Sequence, residues 1–437
     1  MKSLLYIAGL LLAITGNAQV PDTLTLDVCH DLAVKNYPLT KQYALLDSRK
    51  DIQIRSLNTQ YLPQVQMNGQ ASYQSDVTKV EVIIPDIVLP PPIDVTITPT
   101  QPETPDLSKD QYKISLDVYQ MIYDGGITAR QKVIESLNME IDKQKITVDL
   151  YSLKCNVSDV YFNILLLQEN EKLLHVMKDK IGEKIKELES AVKFGVVLES
   201  EKDVLLAEQL KVEQQITEVR ETRRASVEAL GELMAVELAD DITLNLPNPG
   251  IHTPEFQNLR PEITLFDLQK NRIDASKRVI TAKWTPRFSG FGQVGYGRPA
   301  LNFLNNDFDD FYIVGARMSW ELWNWNKNKK EKQVLDIQTG ILDTQKEAFD
   351  RNIRVAAKHD LADIRKYETL IRDDQKIIVL REKIVATASV QLNNGVITST
   401  DYITRLSDAT QARIAMQTHH IQLIRSRVNY LETIGNL

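Results

Sequence analysis

The stretch QVQMNGQASYQ, residues 64 to 74, alternates without a fault. Val65, Met67, Gly69, Ala71 and Tyr73 are apolar or small, and Gln64, Gln66, Asn68, Gln70, Ser72 and Gln74 are polar. Strict alternation marks a strand whose two faces meet different surroundings. The polar face is uncharged and glutamine-rich, and most of the chain around it reads as helix. One apolar face and one wetted, neutral face both need an occupant.

The same alternation recurs three times. Ile114, Leu116, Val118 and Ile122 oppose Lys113, Ser115 and Asp117. Phe288, Val294 and Tyr296 share a face with Gly290 and Gly292, and Tyr312, Val314, Ala316, Met318, Trp320 and Leu322 oppose Gly315, Arg317, Ser319 and Glu321. Strands are therefore expected over about 64–75, 112–123, 287–297 and 312–323.

These strands belong to a duplication. NYPLT around Pro38 matches RPEIT around Pro261, and YLPQVQMNGQASY from Tyr61 matches WTPRFSGFGQVGY from Trp284, each 223 residues on. YKISLDVYQMIYDGG from Tyr112 matches YIVGARMSWELWNWN from Tyr312, and Gly195 of FGVVLES matches Gly395 of NGVITST, now 200 residues on. Two constant offsets with one step between them mark a repeat with a single length change. The step is an insert of 23 residues in the loop at about 77–111, which holds seven of the sixteen prolines, Pro90, Pro91 and Pro92 among them. So much proline excludes helix and central strand there. Each repeat reads helix, strand, loop, strand, very long helix, glycine-marked break, helix. The first repeat covers 19–238 and the second 256–437, joined by a proline-bearing linker at 239–255.

Proline is absent from 106 to 246 and after Pro299, so these intervals can hold long helices. Ile146, Leu150, Leu153, Val157, Val160, Ile164 and Leu167 follow a heptad spacing, the pattern of helices packed side by side. An unbroken helix from about residue 127 to 194 would be roughly 100 Å long.

With 437 residues, 43% hydrophobic and 25% charged, the composition is that of a folded protein, and a formal charge of −7 argues against nucleic acid as partner. Residues 1–18, with Lys2, an apolar run from Leu4 to Ile14 and small residues at Gly16 and Ala18, read as a secretory signal peptide cleaved after Ala18. Cys29 and Cys155 are the only cysteines and are expected to be separate thiols packed as small hydrophobes. No other apolar run is long enough for a transmembrane helix, so a membrane segment would have to be a β-barrel.

The strands have the length, about 9–11 residues, that crosses a tilted bilayer path. Tyr61, Tyr123, Trp284, Trp323 and Trp325 cluster at the strand ends adjoining the helices, as a membrane-interface girdle requires. Lipid outside and water inside would then satisfy both faces. Four strands cannot close a pore, because the smallest membrane barrels have about eight. Several chains must each donate four.

The chain resembles the TolC-type outer-membrane efflux proteins. LTLDVCHDLAVKNYP, RPEI, Leu62-Pro63, YDGG at Tyr123 and the tip motifs FGVVLESEKDVL and NGVITSTDYI carry the resemblance, in duplicated order over essentially the whole mature chain. It implies a mixed α and β fold in which a homotrimer forms a 12-stranded outer-membrane β-barrel, continued by a long periplasmic α-helical barrel. It also implies an extracellular position for the 77–111 loop, no enzymatic activity and no cofactor. The implied partners are a periplasmic adaptor (membrane fusion) protein, an inner-membrane RND or ABC transporter, and outer-membrane lipid. The function implied is the exit duct of a tripartite efflux or type I secretion system. Gly195 and Gly395 would mark the periplasmic helix reversals, with Glu201 and Asp401 six residues beyond. Asp401 matches a position where such proteins carry an inward carboxylate ring. The family's second acid is Thr404 here, and Trp323-Asn324-Trp325-Asn326 stands where glycines are usual.

Other motifs carry less. GFGQVG, at Gly290, Gly292 and Gly295, lies inside an alternating strand with no helix following, so it is not a dinucleotide fingerprint. The six histidines show no metal spacing, no Ser/His/Asp or Cys/His set points to catalysis, and NKNKKEKQ, with Lys327, Lys329, Lys330 and Lys332, reads as a solvated face. The rival reading is a secreted periplasmic coiled-coil adaptor or structural protein whose strands form a small sandwich.

Overall fold

The structure, a computed structural model, describes residues 23–437 apart from 80–81, 94, 101–106, 196, 251–255 and 304. The signal peptide expected at 1–18 and the last part of the 239–255 linker lie outside the described residues.

The first repeat contributes β1 (Thr23–Leu24), α1 (Leu26–Asn36), α2 (Gln42–Asn58), β2 (Gln64–Tyr73), β3 (Ile87–Val88), β4 (Thr96–Ile97), β5 (Asp110–Tyr123), α3 (Ile127–Lys193) and α4 (Glu199–Met234). After β6 (Thr243–Leu244), the second contributes α5 (Pro261–Ala282), β7 (Arg287–Arg298), β8 (Asp309–Ser319), α6 (Lys327–Asn393) and α7 (Ser399–Ile434). The duplicated plan is kept most closely in the helices. α3 and α6 both have 67 residues, and α4 and α7 both have 36. The chain divides into two compact units, each drawn from both repeats.

One unit, Ala44–Asp142 with Phe266–Thr344, holds a four-stranded antiparallel sheet ordered β2-β5-β7-β8. The alternation read from sequence sets its register. Met67, Leu116, Val294 and Tyr312 form one apolar row, and Gln66, Asp117 and Gln293 form a polar row on the other face. The apolar face is uncovered, with Met67 68% exposed, Tyr312 76% and Val314 79%, whereas Ser115, Ser289 and Phe311 on the other face are buried. β2 and β8 are the outer strands, and among the described residues each has one edge without a ladder partner.

The strand limits differ from expectation most at β8, which covers 309–319 rather than about 312–323. It ends at Ser319 because Arg287 pairs with Ser319 and the next residue outward on β7 is Pro286, which has no N–H to offer. Trp320 instead donates its indole Nε1 to the Trp284 carbonyl at 2.9 Å. β2 and β5 pair as far as Tyr73–Asp110, and the proline-rich loop beyond them is not wholly irregular: β3 and β4 form a small hairpin, Ile87 opposite Ile97 and Val88 opposite Thr96. The glycines of GFGQVG are strand residues. A Cβ on Gly295 would meet the Phe311 ring at 2.5 Å, so glycine there lets the ring lie against the sheet.

The other unit comprises the residues up to Tyr43, Lys143–Leu265 and Gln345–Leu437. The parallel pair β1–β6 is pinned by the Tyr161 hydroxyl, which donates to the carbonyls of Leu24 at 2.9 Å and Asn245 at 2.5 Å. Of the heptad positions, Ile146, Leu150, Leu153, Val157 and Ile164 are buried, while Val160 and Leu167 are half-buried. Towards the far ends of α3 and α6, Ile181, Leu188, Leu205, Ala388, Tyr402 and Leu406 join α3, α4, α6 and α7 in one four-helix core. Cys29 is buried, Cys155 partly so, and both are free thiols. Among the described residues no helix is long and apolar enough to cross a membrane.

Candidate functional site

Two places collect the candidate residues: the end of the sheet where strands meet long helices, and the reversals between long and short helices.

At the sheet end, β2 begins, β5 ends, β7 begins and β8 ends, and Tyr61, Tyr123, Trp284, Trp323 and Trp325 lie at or just beyond these strand ends. Tyr123, Trp284, Trp323 and Trp325 are exposed, the last at 79%. Tyr61 is partly buried, and its hydroxyl turns to Asp124, which makes it an anchor for the strand-to-helix turn. Trp323 and Trp325 lie beyond the strand and meet edge to face at 5.8 Å.

The two strand-to-helix turns have the same backbone and different chemistry. In the first repeat Gly125 and Gly126 take φ 76° and 77°; in the second Trp325 and Asn326 take φ 54° and 59°. Left-handed backbone suits glycine and is tolerated by asparagine, so a tryptophan there is strained. Asp124 caps the first turn, accepting from the Gly126 N–H at 2.8 Å and the Thr128 N–H at 2.6 Å. Burial pushes its carboxyl up, but hydrogen bonds from Thr128, Tyr61 and Gly126 outweigh this and hold it below the usual carboxylate range.

The opposite end of the sheet carries a second aromatic group that the sequence reading missed. Tyr296 stacks on Phe308 at 5.6 Å, Tyr112 lies 6.1 Å from the same ring, and the Arg298 guanidinium sits over Phe308 at 5.2 Å. Phe308 lies in a loop, where no periodicity marks it. The polar face also carries two aromatic rings among its polar side chains. Phe291 and Phe311 lie on it beneath Arg317 and Lys113, at 5.3 and 4.9 Å, and Asp117 accepts hydrogen bonds from Asn68, Gln293 and Ser115.

At the reversals, Gly195 and Gly395 adopt φ 69° and 67°, as a helix stop in left-handed conformation requires. The acids beyond them do different work. Asp401 closes a capping box with Thr398 at the start of α7: its carboxylate accepts from Thr398 Oγ1 at 2.8 Å, and its N–H donates to that oxygen at 3.2 Å. The Thr398 hydroxyl, then its backbone, hold the exposed Asp401 carboxyl below its usual range. Glu201 does not cap its own helix. Its carboxylate accepts the Ser399 N–H at 2.5 Å, so the first repeat caps the second repeat's helix. Thr404 donates to the Thr400 carbonyl at 2.9 Å and is exposed. Sequence reasoning also missed Lys184, whose side chain is 3% exposed and donates to Glu187 at 2.7 Å, Ser389 Oγ at 2.8 Å and Asn393 Oδ1 at 2.7 Å.

Removing the cross-repeat cap with Glu201→Ala is expected to loosen the start of α7 by about 1 kcal/mol, speeding amide exchange at 399–402 about fivefold. Hydrogen exchange followed by mass spectrometry measures this, and unchanged protection would show that Glu201 holds nothing.

No family model matches the chain, and no curated protein sequence does. Solved structures match over nearly all of it. The outer-membrane channel OprN is 15% identical with TM-score 0.65, the match covering 94% of this chain and 90% of that one. The Campylobacter jejuni CmeC outer-membrane channel is 15% identical with TM-score 0.60, covering 94% and 85%. The outer-membrane protein VceC from Vibrio cholerae is 13% identical with TM-score 0.61, covering 94% and 96%. The fold of this chain is the fold of those proteins.

Proposed function

We propose that the chain is the outer-membrane exit duct of a tripartite efflux or type I secretion system. Three copies would each donate four strands to a 12-stranded barrel. The long helices would form a periplasmic tunnel, and an inner-membrane RND or ABC transporter would deliver cargo with a periplasmic adaptor. One observation carries this reading: a sheet of membrane-crossing length whose apolar face is bare and whose outer strands each have an edge with no ladder partner among the described residues. A sandwich in a soluble adaptor would bury one face against a second layer. An open edge in lipid is not tolerated, so the edges of β2 and β8 call for further copies. α6 supports this, because Val334, Ile337 and Ile341 lie exposed at helical spacing, 54%, 64% and 53%.

The test is fractionation of the full-length protein. Recovery in the outer membrane, release only by detergent and a heat-labile trimer on gels are expected. A detergent-independent soluble monomer would overturn the proposal.

We further propose that Asp401, kept ionised by its capping box, contributes carboxylates to the periplasmic entrance. Asp401→Asn is expected to weaken cation preference and block by divalent ions in single-channel recordings. Unchanged selectivity with intact assembly would leave the residue a helix cap alone.

A further inference from the structure

The duplication allows one turn to be read against its twin. In the first repeat, the start of α3 has an internal anion: Asp124 is 6% exposed, ionised and hydrogen-bonded to the first backbone N–H groups. In the second repeat Asn324 stands in its place and Asn328 stands where Thr128 does. The negative charge is gone, and no acidic residue lies in the first turn of α6. A helix start carries partial positive charge, which an anion stabilises.

Two further observations show that this turn is left incomplete. Asn328 is 6% exposed, and its Nδ2 has no hydrogen-bond partner; neither does Asn324 Oδ1. Around them the charge is one-sided. Among the described residues Lys327, Lys329, Lys330 and Lys332 have no carboxylate within ion-pair distance, while Glu331 is taken by Lys283 at 3.5 Å, leaving Glu321 as the other acid of this stretch. The same turn presents Leu322, Trp323 and Trp325 at 65%, 68% and 79% exposure. Apolar rings and cations side by side fit an amphiphile whose head is an anion.

We propose that the Trp323–Lys330 turn binds the phosphate of an anionic phospholipid. The external phosphate supplies from outside the negative charge that Asp124 provides in the first repeat, with Lys327, Lys329 and Lys330 as its counter-charges and the two tryptophans against the glycerol and upper acyl region. This rests on the membrane reading above, which puts the aromatic end of the sheet at the bilayer surface.

The test uses the full-length protein in detergent, with phosphatidylglycerol and phosphatidylcholine as probes and native mass spectrometry as the readout. Wild type is expected to retain phosphatidylglycerol at least about tenfold better, since three interfacial lysines at about 1 kcal/mol each would give roughly a hundredfold. Asn324→Asp supplies the carboxylate from within, in a backbone that already carries one at Asp124. It should abolish the preference while the melting temperature is kept or raised. The combined Lys327→Gln, Lys329→Gln and Lys330→Gln variant should abolish it too. Equal retention of the two lipids by wild type, or a preference surviving Asn324→Asp, would overturn the proposal. So would stabilisation by inorganic phosphate alone that matches the lipid, which would make this a site for free phosphate. Membrane location is scored separately on the wild type. Loss of location sinks the channel reading, whereas loss of lipid preference in a membrane-embedded protein sinks only this inference.

Discussion

Arginine in place of Met67 is expected to prevent membrane assembly, while arginine in place of its neighbour Gln66 is expected to permit it. Met67 lies in the middle of β2, 68% exposed, in a row with Leu116, Val294 and Tyr312. If that row faces hydrocarbon, an arginine near mid-bilayer costs roughly 2–4 kcal/mol per chain, and symmetry repeats the cost in each copy. Gln66 is on the opposite face beside Asp117 and Gln293, where a guanidinium meets a carboxylate and water. The heat-labile oligomer in outer-membrane extracts measures the outcome. Equal assembly of both variants would refute the assignment of the faces.

The second large effect concerns pH. Glu432, in the last turn of α7, is 8% exposed, and its Oε1 has no partner. Burial raises its carboxyl to about 7, and Asp159 adds to the shift, while Ser158, Arg425 and Cys155 oppose it. Below pH 4.5 the group is protonated in folded and unfolded chains alike and costs nothing. Between about 4.5 and 7 the unfolded chain ionises it first, so stability falls as pH rises, by about 3 kcal/mol once the folded pKa is passed. Glu432→Gln removes that loss. The variant should melt several degrees above wild type at pH 8 and alongside it at pH 4.5. A difference that does not change with pH would show that Glu432 is ionised without penalty. His30 works the other way in the same unit. Its imidazole, 2.9 Å from Ser158 Oγ, is lowered to about 4 by burial and by Lys154, so it removes stability as pH falls from about 6.5 towards 4. Because His30 and Glu432 share Ser158, the comparison is best made at pH 8, above the range in which His30 titrates.

Much of this molecule was legible because two periodicities are written into it. Alternation at Gln64–Tyr73 set which residues share a face, and the ladder reproduces it row by row. The heptad from Ile146 and the glycines 195 and 395 located the rods and their ends, since proline-free sequence and a left-handed stop are local properties. What stayed hidden is set by tertiary neighbours. Nothing in the sequence around Glu201 says that its carboxylate will serve Ser399, 198 residues away. Lys184 reads as one more solvated lysine until Ser389 and Asn393 are brought beside it. The end of β8 depended on Pro286 in the neighbouring strand, and the aromatic cluster at the far end of the sheet on a phenylalanine from a loop.

The matched lengths of α3 and α6 limit how such a chain can change over evolutionary time. One residue added to a helix advances everything beyond it by about 1.5 Å and turns it by about 100°. In α3 alone, that would pull Lys184 from its partners on α6 and carry Glu201 off the Ser399 amide, even with every side chain unaltered. Insertions in the rods are tolerable only when made in both repeats together and in steps that restore the packing face, close to whole heptads. The loop between β2 and β5 is under no such rule, since length added there shifts no packed helix. This is where the two repeats differ by 23 residues. Lineages of this fold should therefore vary freely in that loop and keep the lengths of their two rods in step.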